Sequence, residues 1–499
     1  MAGILTKKFR LHMANQFKEQ FDESEPSRLF LYIGRPIPWA DETNPPVPVD
    51  TIKDIEYDGW NTMLAMKRIT ASDTCFAAPR YNWLSGEVYT KYSVSEPYYT
   101  GKFYVITEDF NVYLCLKNGN GAPSTVKPSG TSTEAFSTQD GYKWKYLYSI
   151  SASDALRFLT QNYIPVKFIL ADDGSTQWAV QQAAVDGAID VVDIINGGTA
   201  YQFFNGDVVS ATATTISLST LAATTDNIYN GYSVYIKSGV GAGQHFDIVS
   251  YDGVSRTATI NGTFSVIPDA TSTAVVSPKI SISGGTGFFA YCEGSGGTIT
   301  NVVVVSGGQG YSDTPVTVSG NVGSGAVLQA NPSPKGGHGA NAVNDLYAHN
   351  IIMNTRLTGT ESDTFIVGNE FRVMGILLDP TLSNGDPVTA TVYDLTTHFD
   401  VTVTNGSFNA DEIVTGQTSG ATAYVVNKDG NDMRILPIRG TFVAGETIRS
   451  NITLSTGVVN SITGPNIKRN SGRILYVENR NAISRALDQQ EDIKFVVKL

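Results

Sequence analysis

The sequence predicts an α+β fold that is predominantly β: a discontinuous β-sandwich core domain with flanking helices, interrupted by small all-β insertion domains. Three observations predict it. The 499 residues are 41 % hydrophobic and 10 % aromatic, which is enough to bury sizeable cores and too apolar for a disordered chain. Short apolar runs alternate with glycine-containing turns, as in sandwiches and barrels. The charge density also falls sharply, from 36 charged residues in 1–170 to 15 in 171–330, which marks a domain boundary.

The first region begins with a predicted amphipathic helix. Apolar side chains recur there at four-residue spacing, and Pro26 ends the pattern because proline disfavours helical geometry in the residue before it. These side chains are Phe9, Met13, Phe17 and Phe21. Apolar alternation and turn signals then predict a strand at 29–33, a proline-rich loop at 36–48, a helix at 60–67, two strands within 102–116, a strand at 142–150 and a helix at 153–160.

The middle of the chain is predicted to be all β. Its short apolar runs are separated by Gly, Asn-Gly and Asp-Gly turns, which favour antiparallel strands over a parallel α/β sheet. The predicted strands are 191–195, 234–236, 246–250, 257–260, 302–305 and 316–318.

Composition divides the chain into five segments, because charged and aromatic residues return after each Gly/Thr-rich stretch. The closing segment contains a strand from Ile474 that runs into a turn, and a last strand from Asp492. The five segments are the N-terminal part of the core at 1–170, a β-rich insertion at 171–334, the core continued at 335–385, a second β-rich insertion at 386–465 and the closing segment of the core at 466–499.

Two weak internal repeats support the β-rich interpretation. The segment 193–201 resembles 303–311, each with a strand, a Gly-Gly turn and a tyrosine. The segment 406–413 matches 440–448 with one residue added. Each pair is predicted to be a duplicated hairpin.

Charge and cysteine content exclude several classes of protein. Thirty-five basic and 47 acidic residues give a net charge of -12 with no basic stripe, so nucleic acid is not an expected partner. No apolar run approaches the roughly 18 residues of a spanning helix, and the N-terminus lacks a secretory signal, so we expect no membrane insertion and assembly in a cytoplasm. Cys75, Cys115 and Cys292 have no metal-ligand spacing and are predicted to be buried free thiols.

No motif predicts catalysis, a cofactor or a metal centre. None of the five histidines lies in a metalloprotease or nucleophile-elbow pattern. The glycine cluster at 239–243 leads into a strand, whereas a dinucleotide loop leads into a helix. Acidic pairs such as Glu108-Asp109 are better explained as solvated turns than as glycosidase carboxylates. We therefore predict no catalytic, cofactor-binding or metal-binding residues.

An aromatic-dense stretch at 81–104 is open to three interpretations. Tyrosines and tryptophans in this density form cross-strand pairs in a sheet core, anchor a protein interface, or line a glycan-binding platform. The sequence pattern by itself does not choose between them.

Several segments resemble a known family. The closing segment contains Ser471-Gly-Arg-Ile-Leu-Tyr-Val-Glu-Asn-Arg-Asn-Ala-Ile483 and then Asp488-Gln-Gln-Glu-Asp-Ile493. These runs resemble the end of baseplate wedge subunits of T-even-like contractile-tailed bacteriophages, of the gene-product-eight type. Segments in the same order along the rest of the chain are 6–10, 30–39, Trp60, Pro79-Arg80 with Trp83, Asp140-Gly-Tyr-Lys-Trp-Lys-Tyr-Leu-Tyr148 and 371–380. The resemblance covers 1–170, 335–385 and 466–499, roughly half of the 499 residues.

The resemblance implies a structural subunit without enzymatic activity and without a cofactor. Such a chain forms a homodimer, packs against other baseplate wedge proteins in the virion tail, and is assembled in the cytoplasm of the host bacterium. Its action is mechanical, because subunit contacts repack when the tail contracts. The interface anchors that we select on this basis are Trp83, Tyr98 and Tyr99. The two insertions have no counterpart in shorter members of the family, and contact with a glycan is one role open to them.

A second interpretation comes from a different class of protein. A tailspike or fibre-like protein that binds host glycans, with or without depolymerase activity, would also combine low charge, short strands and surface aromatics. The β-rich stretches are too irregular for a long β-helix. A capsid-decorating protein would fit the insertions but not the ends of the chain.

Overall fold

The structure is a computed structural model that describes residues 4, 6–23, 26–94, 101–312, 315–358, 370–486 and 490–499. It is 47 % strand and 10 % helix, with several sheets and small barrels. The predicted class, α+β and predominantly β, is confirmed.

The helices of the described residues are short, and none is long and apolar enough to cross a membrane. They are α1 (Lys7–Glu19), a π-helix (Ile52–Asp58), α2 (Gly59–Asn61), a 3-10 helix (Ala71–Asp73), a second 3-10 helix (Gly119–Gly121), α3 (Ala152–Phe158), α4 (Thr176–Ala183) and α5 (Ala342–Asp345).

The strands alternate with tight turns throughout. In chain order they are β1 (Leu29–Gly34), β2 (Met63–Ile69), β3 (Thr74–Pro79), β4 (Tyr104–Ile106), β5 (Asn111–Asn118), β6 (Phe136–Ser137), β7 (Tyr142–Ser149), β8 (Tyr163–Val166), β9 (Ile189–Thr199), β10 (Phe204–Ala211), β11 (Thr215–Leu218), β12 (Tyr232–Ser238), β13 (His245–Asp252), β14 (Thr257–Ile260), β15 (Thr273–Ile282), β16 (Thr286–Ser295), β17 (Thr298–Gln309), β18 (Val316–Ser319), β19 (Ser324–Pro332), β20 (Asn350–Thr358), β21 (Glu370–Leu378), β22 (Val392–Asp394), β23 (Thr397–Asn405), β24 (Ile413–Gly416), β25 (Thr422–Asp429), β26 (Asp432–Arg439), β27 (Thr447–Ser450), β28 (Thr456–Thr463), β29 (Arg473–Ser484) and β30 (Gln490–Lys498).

One compact unit combines Met1–Ala78, Ser153–Val166 and Ala348–Leu499. It contains a five-stranded sheet in the order β22-β2-β1-β21-β29 and a four-stranded sheet in the order β30-β20-β3-β8. Strands β23 to β28 form a closed barrel in the order β23-β26-β25-β24-β27-β28. Buried Phe30 and Tyr32 belong to the core of the five-stranded sheet, and apolar side chains fill the barrel.

The other compact unit combines Pro79–Ala152 and Lys167–Tyr347. It contains a four-stranded sheet in the order β4-β5-β7-β6 and a seven-stranded sheet in the order β10-β11-β14-β13-β12-β15-β18. Pairing of β10 with β15 closes six of these seven strands into a ring. Two further pairs, β16 with β17 and β9 with β19, complete the described strands of this unit. The predicted division into a core and two insertions stays a prediction, because compact packing does not distinguish an inserted module from the chain that it interrupts.

The later repeat is a structural duplication. Strands β23, β24 and β25 correspond to β26, β27 and β28 at a constant offset, so that the pair Val425↔Ile435 is repeated as Val459↔Val401. The two equivalent strands β24 and β27 pair with each other. The sequence comparison placed one extra residue in the second copy, which is wrong. The residue equivalent to Ile448 is Val414 and not Ile413, and Val414 and Ile448 are both fully buried.

The earlier repeat is also duplicated in three dimensions. Its copies lie at the ends of β9 and β17, and Tyr201 and Tyr311 share one apolar core. The backbone N–H of Tyr201 donates to Gly297 O at 2.9 Å, and that of Tyr311 donates to Gly187 O at 3.1 Å. Each tyrosine therefore bonds to the glycine that precedes the strand of the other copy. The predicted hairpin is not duplicated, because β17 pairs with the adjacent β16 whereas β9 pairs with the distant β19.

Several local predictions are confirmed and others are wrong. The predicted strands of the middle region all lie within observed strands, and the three cysteines are free and buried. The predicted helix at 60–67 is wrong, since β2 occupies most of it and pairs with β1 and β22. The α4 helix was not predicted. The predicted turn after Ile474 is wrong too, because β29 continues to Ser484.

The N-terminal helix is confirmed, but its predicted apolar face is only partly buried, since Phe17 and Phe21 are half-buried and pack on each other. Leu11 and Ala14 are buried. Phe9 and Met13, which the four-residue spacing assigns to the apolar face, are 49 % and 40 % exposed. The four-residue spacing of apolar side chains therefore predicts the helix correctly, but it does not determine which face of the helix is buried.

Candidate interaction surfaces

Much of the aromatic-dense stretch lies in a core. Tyr89 is fully buried and packs edge-to-face on Trp144, with 5.7 Å between ring centroids. Trp144 stacks on Tyr142 at 5.4 Å and 13°. The cluster draws on β4, β5 and β7, whose alternating side chains meet on one face of their sheet. For Tyr89, which itself lies outside the strands, packing in the core of this sheet is the interpretation that the structure supports.

The three predicted interface anchors have different outcomes. Trp83 is half-buried, packs against the Tyr89 cluster, and donates from Nε1 to the Ser124 hydroxyl at 3.1 Å. Tyr98 and Tyr99 lie outside the described residues. A role for all three in contacts with another subunit stays a prediction. Leu84, the next residue along the chain, is 57 % exposed.

The motif at 140–148 has a structural explanation. Asp140 lies in the turn at 138–141 between β6 and β7, and its carboxylate accepts hydrogen bonds from the backbone N–H groups of Thr125 and Val126 at 2.8 and 2.9 Å. Gly141 follows with a φ of 84°, a conformation that favours glycine. The hydroxyl of Tyr142 donates to Ala122 O at 2.6 Å. The motif therefore joins a turn, a long loop and an aromatic core.

Segments that carry the family resemblance meet in the five-stranded sheet. Strand β1 pairs with β21, so that Tyr32 lies opposite Gly375. Strand β21 pairs in turn with β29, which brings Gly375 opposite Val477. A side chain on Gly375 would clash with Tyr476 O and the Tyr32 ring, so the close approach requires glycine. Residues more than 440 positions apart thus belong to one antiparallel sheet.

The free edge of this sheet is partly covered by the proline-rich loop. The Trp39 Nε1–H donates to Arg480 O at 2.8 Å, and the Asn479 amide donates to Pro46 O at 2.7 Å. Between this loop, the π-helix and β29 lies a groove of about 210 Å³. The loop therefore blocks simple strand addition along part of β29.

Exposed apolar side chains lie on the three elements that border this groove, and two of them, Val47 and Val49, line it. We call them the edge surface, and they are Val47, Val49, Ile52, Tyr57 and Leu475, exposed by 83 %, 56 %, 65 %, 54 % and 52 %. Beside them on β29, Arg480 Nε donates to Glu478 Oε1 at 2.7 Å. Clustered exposed apolar groups next to polar ones are typical of protein contacts. Sequence patterns missed this surface because its members come from a loop, a π-helix and a strand.

A charged cluster joins β22 to the barrel. His398 contacts two carboxylates, with Nδ1 2.9 Å from Asp432 Oδ1 and Nε2 3.2 Å from Asp394 Oδ2. Arg434 adds a 3.0 Å ion pair to Asp394. Within the described residues, no group of three or more His, Cys, Asp or Glu side chains is arranged to hold a metal ion.

No protein-family model matches the chain. No curated protein matches it at a significant level. The resemblance to baseplate wedge subunits therefore stays a prediction based on the segments quoted above.

Proposed function

We propose that the chain is a non-catalytic structural subunit of a phage tail baseplate, of the wedge type that its sequence resembles. In this proposal it forms a homodimer, packs against other wedge proteins in the virion tail, and is assembled in the cytoplasm of the host bacterium. It acts by presenting interfaces that repack during tail contraction.

The observation that carries the proposal is the sheet formed by β1, β21 and β29. Each of these strands comes from a separate segment that resembles the family, and the sheet places them side by side. A chance likeness in three distant segments would not require them to pair. The pairing therefore supports the view that the three resembling segments together form one structural core.

The edge surface is our candidate for contact with a second copy of the chain. It lies against β29, and its apolar side chains lose contact with water on association. Glu478 and Arg480 carry opposite charges on the same strand, so two antiparallel copies can each present a carboxylate to the other's guanidinium. Trp83, Tyr98 and Tyr99 remain candidates for contacts with other wedge proteins.

The solution mass of the purified full chain tests the proposal. Light scattering coupled to size exclusion should give a dimer, near twice the chain mass of 53.6 kDa. A stable trimer would contradict the wedge proposal, because trimeric assembly is the expectation for the tailspike alternative. A monomer at all accessible concentrations would also contradict it.

A further inference from the structure

The seven-stranded sheet, β16 and Tyr311 line an open cleft of about 380 Å³. This volume lies within the range of about 300–1,000 Å³ that is usual for small-molecule sites. All of the residues that line it belong to one compact unit. The described fold therefore forms it within a single packed body.

One wall is the outward face of the sheet. In the pairing of β12 with β13, Ser233 lies opposite Asp247 and Tyr235 lies opposite His245, so these four side chains share a face. The alternate residues Val234 and Ile248 are buried on the other face. Three of the four, Ser233, His245 and Asp247, line the cleft from this antiparallel pair.

The polar groups of this wall form a charge-balanced set. Lys279 Nζ, on β15, lies 2.7 Å from Asp247 Oδ2, and both side chains are 38 % exposed. Ser233 Oγ donates to Asp247 Oδ1 at 3.4 Å. An ammonium has three donors and a carboxylate about four acceptor positions, so both groups keep capacity for a ligand.

An amide lies beside this pair. The Asn261 backbone N–H donates to Asp247 O at 2.8 Å, which holds the residue at the cleft. Its side-chain amide is exposed and makes no hydrogen bond to the part of the chain that the structure describes. It thus offers two further donors and an acceptor.

The second wall is aromatic. Phe288 and Phe289, on β16, line the cleft, and the exposed His245 ring stacks on Phe289 with 3.7 Å between centroids and 17° between planes. Tyr235 contacts the same phenylalanine at 5.6 Å. The rings of His245, Tyr235 and Phe289 therefore pack together beside the cleft.

We propose that this cleft binds a neutral saccharide unit. Sugar hydroxyls both donate and accept, which matches a wall that presents a carboxylate, an ammonium, an amide and a hydroxyl together. The C–H face of a sugar ring packs on exposed rings, and the ring that this cleft exposes is that of His245, stacked on the buried Phe289. Because Asp247 and Lys279 cancel in charge, the cleft has no excess cation to favour a phosphate or a carboxylate ligand. This proposal does not depend on the baseplate assignment.

Saturation-transfer NMR on the full chain tests the proposal directly. The probes are D-glucose, D-galactose, N-acetyl-D-glucosamine and L-rhamnose at millimolar concentration. We expect transfer to at least one sugar, and roughly a tenfold loss of affinity in Asp247→Asn and in Lys279→Met, because each removes a charged hydrogen-bonding partner. Lys237→Met is the matched control, since this exposed lysine lies on β12 outside the cleft.

Two results would overturn the proposal. One is the absence of transfer to all four sugars. The other is binding that survives both cleft variants unchanged, which would place the sugar elsewhere. Thermal unfolding of each variant shows that a loss of binding is not a loss of fold. A monomeric or trimeric mass would contradict the proposed function while leaving this result intact.

Discussion

The Asp140 carboxylate explains why the motif at 140–148 begins with an acidic residue. Asp140 accepts hydrogen bonds from two backbone amides of the 124–126 loop and from the hydroxyls of Ser124 and Thr138. Partial burial raises the pKa of Asp140, but the hydrogen bonds from Thr138, Val126 and Thr125 outweigh this effect and lower it to about 2. The ionised form therefore holds the loop onto the hairpin.

We predict that Asp140→Asn lowers the free energy of unfolding by about 2 kcal/mol at pH 7, since charged hydrogen bonds to backbone amides are lost. A depressed pKa stabilises the fold above the unfolded value of 3.8, and this stabilisation disappears as the pH falls towards 2. Urea unfolding at pH 7 and pH 3 should show a smaller difference between variant and wild type at the lower pH. Asp109→Asn, at a side chain 63 % exposed, is the control. Equal losses in both variants would contradict the prediction.

His398 gives the opposite pH dependence. The hydrogen bond to Asp394 raises the pKa of His398, partial burial lowers it, and the charges of Asp394 and Asp432 make the net direction upward. A raised pKa stabilises the fold fully below the ordinary value of 6.5, and this stabilisation is lost as the pH rises through the folded pKa.

We therefore predict that His398→Gln destabilises the chain at pH 6 and has less effect at pH 9. The difference should stay below about 1 kcal/mol, because the His398 side chain is 31 % exposed and solvent screens its ion pairs. Denaturation midpoints of both proteins at the two pH values measure it. An imidazole NMR titration with a midpoint below 6.5 would contradict the assignment.

At the scale of elements, the barrel shows how a weak repeat becomes a symmetric core. Phe408 and Phe442 occupy equivalent places and both contribute to the barrel core. Each copy also contributes a buried glutamate that binds the other copy: Glu446 caps the 418–419 turn, and Glu412 accepts from Thr453 Oγ1 at 2.9 Å. Exchanged polar contacts of this kind fix the pairing of the two halves.

The two glutamates differ in their hydrogen-bond donors: Glu446 accepts mainly from backbone amides, and Glu412 accepts from side chains. Burial raises the pKa of Glu446, but hydrogen bonds from the backbone amides of Ser419 and Val443, among others, lower it overall. We predict that Glu446→Ala costs about 3 kcal/mol, because backbone donors are left unpaired, and that Glu412→Ala costs about 1 kcal/mol, because its partners are side chains that can turn to solvent. Urea unfolding, monitored by amide hydrogen exchange in the barrel, measures the free energy of unfolding of the two variants. A larger loss of stability in Glu412→Ala than in Glu446→Ala would show that unpaired backbone donors do not determine the destabilisation.

Sequence patterns predicted strands better than the partners of those strands. Short apolar runs between turns located β12, β13 and β14, because local alternation and turn residues specify them. The helix predicted at 60–67 failed because Met, Leu, Ala and Lys favour helices, whereas pairing on both sides of β2 determines the observed conformation. The cleft beside Asp247 was beyond prediction, since its second wall comes from a hairpin some 40 residues later.

At the scale of the whole molecule, each compact unit is assembled from distant segments of chain. Strands β29 and β30 close the five-stranded and four-stranded sheets as edge strands, next to β21 and β20. The first unit therefore completes both sheets only with the last residues of the sequence. Discontinuity of this kind makes its contacts long-range, which slows folding relative to local topologies.

We predict that the dimer contact lies on the edge surface. If the edge surface makes this contact, Val47→Asp should weaken the dimer by about tenfold or more, because it removes an apolar contact and places a carboxylate in a desolvated interface. Val47 is 83 % exposed, so its replacement should leave the fold of the subunit intact. Val254→Asp is a matched control, at a valine 85 % exposed in the turn between β13 and β14.

A concentration series of light-scattering masses distinguishes the alternatives. Dissociation of Val47→Asp at concentrations where wild type and Val254→Asp remain dimers would place the contact at the edge surface. Retention of the dimer by Val47→Asp, with loss in Trp83→Ala, would instead place it beside the aromatic core of the other unit. The second outcome would reject the edge surface but keep the proposed function, since the resemblance requires a dimer and does not by itself specify which face of this chain forms it.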